Sequence, residues 1–240
     1  MGMDAEEFII RLLPVLSNLV FLWPAERALK RKFPIDTLLW SFIALFSSPA
    51  YHLCMGFYAC LWVVDKHRVV DFWSAEMAMP IVALCFIAFR APFIRTWIIF
   101  ICILAIGLLV TGTNSSFMSQ AVIAGVSGLA VIFYLLWHRY AHEYWPDYDM
   151  KRLVLGIGFL ALGVCFFVVQ EWWPPFYNYV HSYWHVFTAL GIGFMYDIQP
   201  EESATTRTPL ESQVIGSSIL KPIPRSLARF TPRGQLAQRV

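Results

Sequence analysis

The sequence predicts an all-α integral membrane protein with seven transmembrane helices, the amino terminus outside or lumenal and the carboxyl terminus cytoplasmic. Three observations carry that prediction. Of 240 residues, 58% are hydrophobic and only 14% charged, whereas a soluble domain carries about a quarter charged residues. Apolar residues fall into seven runs separated by short polar or charged punctuation. Lysine and arginine concentrate in every second connection between those runs.

A spanning helix needs about 20 largely apolar residues. The first run, 8–23, is short and contains Arg11, Pro14 and Asn18. The second, 37–62, is longer than one span requires, and the third covers 69–89. The fourth, 97–112, is short again; 119–137, 153–170 and 178–196 complete the series. From about Gln199 the composition turns to Ser, Thr, Pro and Arg, which cannot build a packed core. The chain therefore divides into a seven-helix domain at 1–198 and a disordered cytoplasmic tail at 199–240.

With the amino terminus outside, the cytoplasmic connections hold Arg27, Lys30, Arg31 and Lys32, then Arg90 and Arg95, then Arg139, Lys151 and Arg152. The opposite connections hold only Lys66 and Arg68, and Arg11 sits at the start of the first helix. That asymmetry follows the positive-inside rule. Trp172, Trp173, Tyr177 and Tyr179 fall at the outer interface and Trp137, Tyr140, Tyr144 and Trp145 at the inner one, where amphipathic rings belong. The tail adds Arg207, Lys221, Arg225, Arg229, Arg233 and Arg239, spaced as solubilising charge, with contact to anionic lipid as the alternative. It carries no cysteine for a lipid anchor.

The first residues are acidic (Asp4, Glu6, Glu7) and no small-residue cleavage site follows, unlike a signal peptide. Glu6 stands where a myristoylation motif needs Ser or Thr. The sequon Asn114-Ser115-Ser116 falls on an outer loop close to the membrane. Cys54, Cys60, Cys85, Cys102 and Cys165 lie in apolar segments without metal-binding spacing and read as small buried hydrophobes. A disulfide involving Cys54 or Cys60, near the outer face, is the alternative.

Ionisable residues inside a bilayer are costly without a partner and mark function by default. His181 and His185 are four residues apart in the last run, so both rings share one helix face. The topology puts His52 near the outer end of the second helix, Asp71 in the first turn of the third, and the histidine pair in the first turns of the seventh. All four thus lie at one depth. Three imidazoles with an open position fit a catalytic zinc site, whereas structural sites fill all four positions with protein ligands. Asp71 is placed to orient the metal-bound water or serve as general base, and Ser48, one turn from His52, to bond an oxyanion or that water. Taken singly, each has a plainer reading: His52 as an interhelical donor, Asp71 as a helix cap.

Other polar residues compete less well. His138 and His142 form a second pair at the cytoplasmic end of the fifth helix, flanked by Arg139 and Glu143, which suits a solvated interface. Glu76 is five residues beyond Asp71 and points to another face, either pairing with a polar neighbour or replacing Asp71. His67 is expected in the outer loop, exposed. Ser47 lacks the four-residue relation to His52 that Ser48 has.

Ser48-Pro49-Ala50-Tyr51-His52-Leu53-Cys54, Asp71-Phe72 and His181-Ser182-Tyr183-Trp184-His185 resemble, in order, spacing and topology, the three motifs of the CREST membrane-hydrolase superfamily. That group includes alkaline ceramidases and progestin/adiponectin receptors. The resemblance covers about residues 5–197 and is strongest toward the transmembrane protein 8 and myomaker branch, through the Tyr179-to-His185 segment. It implies zinc on His52, His181 and His185, with Asp71 and Ser48 beside it as catalytic residues. It also implies lipid substrates, ceramides in one branch and acyl esters of GPI anchors in another. The myomaker branch implies a role in cell–cell fusion instead.

A serine at 48, Asp71 and the lack of a cysteine-rich end favour a hydrolase over a fusogen. The lack of a large extracellular region sets this chain apart from longer transmembrane protein 8 members. The leading expectation is therefore a zinc-dependent lipid amidase or esterase, its substrate's acyl chain lying within the helix bundle. The alternative is a non-catalytic, myomaker-like remodelling or fusion protein with a structural zinc site. A ligand-gated receptor is a third class, with no G-protein-coupling motif to support it. Membrane lipids are the expected partners and nucleic acid is not. The plasma membrane or a secretory or endolysosomal membrane is the expected location, and the sequence does not set the oligomeric state.

Overall fold

The computed structural model describes residues 4–89, 92–113, 117–170 and 172–199. Arg90, the sequon at Asn114 and the tail with its basic residues lie outside the described residues. Among the described residues the structure is helical, with no strand. Seven long helices follow in order: α1 Ala5–Lys30, α2 Pro34–Phe57, α3 Val64–Phe86, α4 Pro92–Thr113, α5 Phe117–His142, α6 Met150–Val169 and α7 Tyr177–Tyr196. Six of them, α1 to α6, are long and apolar enough to cross a membrane, so the chain is an integral, multi-pass membrane protein. The last, α7, has 20 residues but a polar first half containing Asn178, His181, Ser182 and His185.

Helix boundaries differ from the apolar runs for local reasons. At α1, Asp4 accepts a hydrogen bond from the Glu7 amide at 2.8 Å, and Glu6 and Glu7 occupy the first turn. This is a capped, dipole-matched start that hydropathy does not register. Arg11 is held by Glu7 and donates to the Gly56 carbonyl at 2.8 Å, joining the start of α1 to the end of α2. Inside α1, residues Asn18–Phe21 tighten into a 3-10 turn just beyond Pro14.

The second helix ends at Phe57, earlier than the expected 62, because Tyr58 turns left-handed at φ 57°. It contains a π-turn at Ile43–Ser47, immediately before Pro49, whose missing N–H and ring disrupt a regular α ladder. The wider turn brings both Ser47 and Ser48 inside, and the hydroxyls of Ser47 and of Ser74 on α3 are hydrogen-bonded at 3.0 Å.

The third helix begins at Val64, not 69. Two expectations change as a result. Asp71 sits about two turns inside α3 rather than in its first turn. His67 is not an exposed loop residue: it is 1% exposed, and its Nε2 accepts the Trp62 backbone N–H at 3.0 Å. Cys54 and Cys60 are joined in a disulfide that closes the turn between α2 and α3, so the simple buried-hydrophobe reading fails for these two.

The centre of the bundle lies among α2, α3 and α7, where Trp40, Met77, Ile81, Ala189, Ile192 and Met195 are wholly buried. Helix α7 also packs on α1 and α6, while α4 and α5 lean on α3. A Cβ on Gly163 of α6 would meet Thr188 Oγ1 of α7 at 2.6 Å, so a small residue there permits the close approach of the two helices. Glu76 is buried and accepts from Ser119 at 3.1 Å, tying α3 to α5.

The end of the bundle opposite the Cys54–Cys60 disulfide is fastened by charge. Arg95 of α4 makes a two-pronged contact with Asp36 of α2, at 2.8 and 2.6 Å. Tyr196 of α7 donates to the same carboxylate at 2.6 Å and accepts from Trp40 at 2.7 Å. Arg95 is 3% exposed, so it belongs to the interior and not to the interfacial charge with which its sequence position groups it. Asp197, just past α7, meets Arg27 at 3.1 Å, Arg31 at 3.8 Å and Arg152 at 3.8 Å.

Candidate metal site

Two helices deliver the three sequence-selected histidines. His52 lies on α2 one turn past Ser48, beyond the π-turn. His181 and His185 lie one turn apart on α7. All three are buried, and one ring nitrogen of each lies within 4.8 Å of the other two. The His52 and His181 Nε2 atoms are 3.1 Å apart. Two ligands at zinc–nitrogen distances of about 2.0–2.1 Å in a tetrahedron stand about 3.3 Å apart, so this pair is already near ligand spacing. Three imidazoles are also the donor type that suits zinc. The residues present therefore fit the ion.

Asp71 and Ser48 face the same place. Both line a cavity with His185, Asn18, Ser74 and Thr188. Its apolar wall includes Phe21, Trp40 and Trp184. The cavity has a volume of about 20 Å³, room for one water molecule. That cavity is too small for an acyl chain. A larger apolar groove, about 430 Å³, lies between α3 and α4 and is lined by residues such as Val70, Trp73 and Leu104.

Sequence reasoning missed three polar residues at this site. The His185 Nδ1 lies 2.8 Å from Ser17 Oγ of α1, and the His181 Nδ1 lies 2.6 Å from Gln170 Oε1 at the end of α6. Asn18 is wholly buried, donates to the Pro14 carbonyl at 2.7 Å, and lines the cavity. A serine, a glutamine and an asparagine in apolar runs carry no distinguishing spacing, although Asn18 was visible as a polar oddity in the first run. His138 and His142 stay at the far end of α5, 4.6 Å apart between ring centres and remote in sequence from the cluster.

The fold and this cluster define a class: a multi-pass helical membrane protein with a buried three-imidazole site between its second and last helices. Residues 6–186 match the family described as "Protein of unknown function (DUF3522)", and the chain belongs to that family. It is 25% identical to the protein myomaker of Homo sapiens over 209 residues, 82% of this chain and 90% of that protein. It is 27% identical to the protein myomaker of Danio rerio over 192 residues, 75% of this chain and 82% of that one. This kinship agrees with the myomaker side of the sequence resemblance and moves the functional balance toward its non-catalytic alternative.

Proposed function

We propose that this chain is a membrane-remodelling protein of the myomaker type, in which His52, His181 and His185 hold a zinc ion that pins α2 to α7. The observation that carries this reading is kinship along 90% of the human relative's length. The cavity that Asp71 and Ser48 line, about 20 Å³, supports it in being too small itself for an acyl chain. Zinc bound there supplies a fixed cationic centre, and the chain's own residues do the rest. Imidazoles from two helices converge on it, and Ser17 and Gln170 brace two of them from α1 and α6.

Helix α7 is the seventh span in this reading. It runs from His181 beside His52 to Asp197 beside Arg27 and Arg31. The histidine end faces outward or toward the lumen. The Cys54–Cys60 disulfide at that end supports this orientation, because disulfides persist in oxidising compartments. Arginines at the opposite end support it too. Lipids of the plasma membrane or a secretory or endolysosomal membrane are the partners.

A second reading, zinc-dependent acyl-lipid hydrolysis of the CREST type, is favoured by one observation. Ser48 and Asp71 both line the cavity that His185 also lines. In that reading Asp71 takes and returns the proton and Ser48 steadies the polar transition state.

The test is metal content of the purified protein beside His181→Ala/His185→Ala, followed by a cell-mixing assay of both and of Asp71→Asn. We expect about one zinc per chain, lost in the histidine variant together with membrane activity, while Asp71→Asn keeps both. Metal-free wild type overturns the zinc site. Loss of activity in Asp71→Asn with zinc retained transfers the reading to the hydrolase.

A further inference from the structure

We propose that Ser17 and Gln170 are positioning residues of the histidine cluster: each fixes one imidazole in the tautomer that leaves its Nε2 bare for a metal ion. The inference rests on the metal reading above and adds two helices, α1 and α6, to a site whose ligands come only from α2 and α7.

The argument is a count of protons. A serine hydroxyl has one proton to donate. Ser17 Oγ donates it to the Pro14 carbonyl at 3.0 Å. Toward His185 Nδ1, 2.8 Å away, Ser17 can therefore offer only a lone pair, so the proton of that contact sits on Nδ1. A neutral imidazole carries one N–H, so the Nε2 of His185 is left as a bare lone pair.

Gln170 gives the same answer for His181. Its Oε1 accepts at 2.6 Å, which puts the proton on Nδ1 and bares Nε2. That bare Nε2 lies 3.1 Å from the Nε2 of His52. Both sites are out of water: Gln170 is 5% exposed, His181 5% and His185 1%. In a buried cluster, converging lone pairs need a cation or a proton between them. Neutral His52 can supply one proton, through Nε2, and a cation bound by the three rings satisfies all of them.

Metal-bound histidines commonly donate their second ring N–H to such an acceptor, which fixes the tautomer and the plane of the ring. Neither bracing residue lies on a ligand-bearing helix. Metal affinity is thereby coupled to the docking of α1 and α6 against α7.

The experiment titrates Co²⁺ into the purified, metal-stripped full chain in detergent, reading cobalt absorbance and chelator competition, with thermal unfolding of the metal-free form as control. Ser17→Ala and Gln170→Leu are expected to weaken binding about 10–100-fold each. Ser17→Thr, which keeps the hydroxyl, and Gln170→Glu, which can only accept, are expected to stay near wild type. Wild-type affinity in both Ser17→Ala and Gln170→Leu overturns the proposal. Equal weakening in the Thr and Glu variants also overturns it, since that outcome reports packing and not acceptor chemistry. Wild type that takes up neither cobalt nor zinc removes the metal reading itself, a result separate from either of these.

Discussion

Asp36 and Arg95 are the most demanding residues in the bundle, because each is a charge inside the protein that the other must compensate. Asp36 is wholly buried, and its carboxylate accepts hydrogen bonds from Arg95 and Tyr196. Truncating one member of such a pair leaves an unpaired buried charge and costs about 3–5 kcal/mol. Asp36→Ala should therefore lower the midpoint of thermal unfolding in detergent sharply, whereas Asp36→Leu with Arg95→Met should recover most of the loss. A double variant as unstable as the single one would mean that the pair itself, and not its desolvation, holds α2, α4 and α7 together.

The same pair shows where reading a sequence stops at this scale. His181 and His185 were legible because four-residue spacing is a helical signal, and His52 because topology sets its depth. Asp36 and Arg95 are 59 residues apart with no motif between them, and Arg95 looks like any basic residue beside a membrane. Ser17 and Gln170 are less visible still, since hydrogen-bond acceptors for an imidazole have no preferred sequence distance.

At the scale of elements, hydropathy located the helices and misplaced their ends. It responds to side-chain transfer and not to caps, so the acidic start of α1 and the Asp65-to-Arg68 turn of α3 fall outside the apolar runs. It also passed over the π-turn of α2, which depends on a proline and on backbone bonding. Packing between elements is a separate matter and rests on small residues. A side chain at 163 meets Thr188 of α7 within 2.6 Å of its first carbon.

Gly163→Val should thus push α6 from α7 and cost about 1–3 kcal/mol. Because Gln170 caps the end of α6, it should also weaken cobalt binding although no ligand is altered. Unchanged stability would show that α6 tilts freely on α7. Unchanged affinity with lowered stability would uncouple α6 from the histidine site.

At the scale of the molecule, the two ends of the bundle differ chemically, and that difference makes the orientation testable. One end carries the histidines, the Cys54–Cys60 disulfide and Arg11 bound to the α2 terminus. The other carries Arg27, Arg31 and Arg152 around Asp197. Charge alone argues weakly, because Arg95 drops out of the interfacial count once it is seen to be buried. The disulfide argues independently, since cytosolic thiols stay reduced. In a variant with Cys85, Cys102 and Cys165 replaced, only the bridged pair remains to be labelled.

Sealed microsomes expose the cytoplasmic side, whichever membrane the protein finally occupies. Membrane-impermeant reductant and maleimide should leave Cys60, which is exposed at the bundle end, unlabelled until detergent opens the vesicles. Labelling before detergent would turn the molecule over, placing the histidine site at the cytoplasmic face and making the bridged cysteines reducible in the cell. The short ring that the bridge closes, six residues apart in sequence, is expected to contribute about 2 kcal/mol in the chain-entropy account. Cys54→Ser/Cys60→Ser should consequently fold with a modestly lowered unfolding midpoint, and the loss should vanish for protein made under reducing conditions.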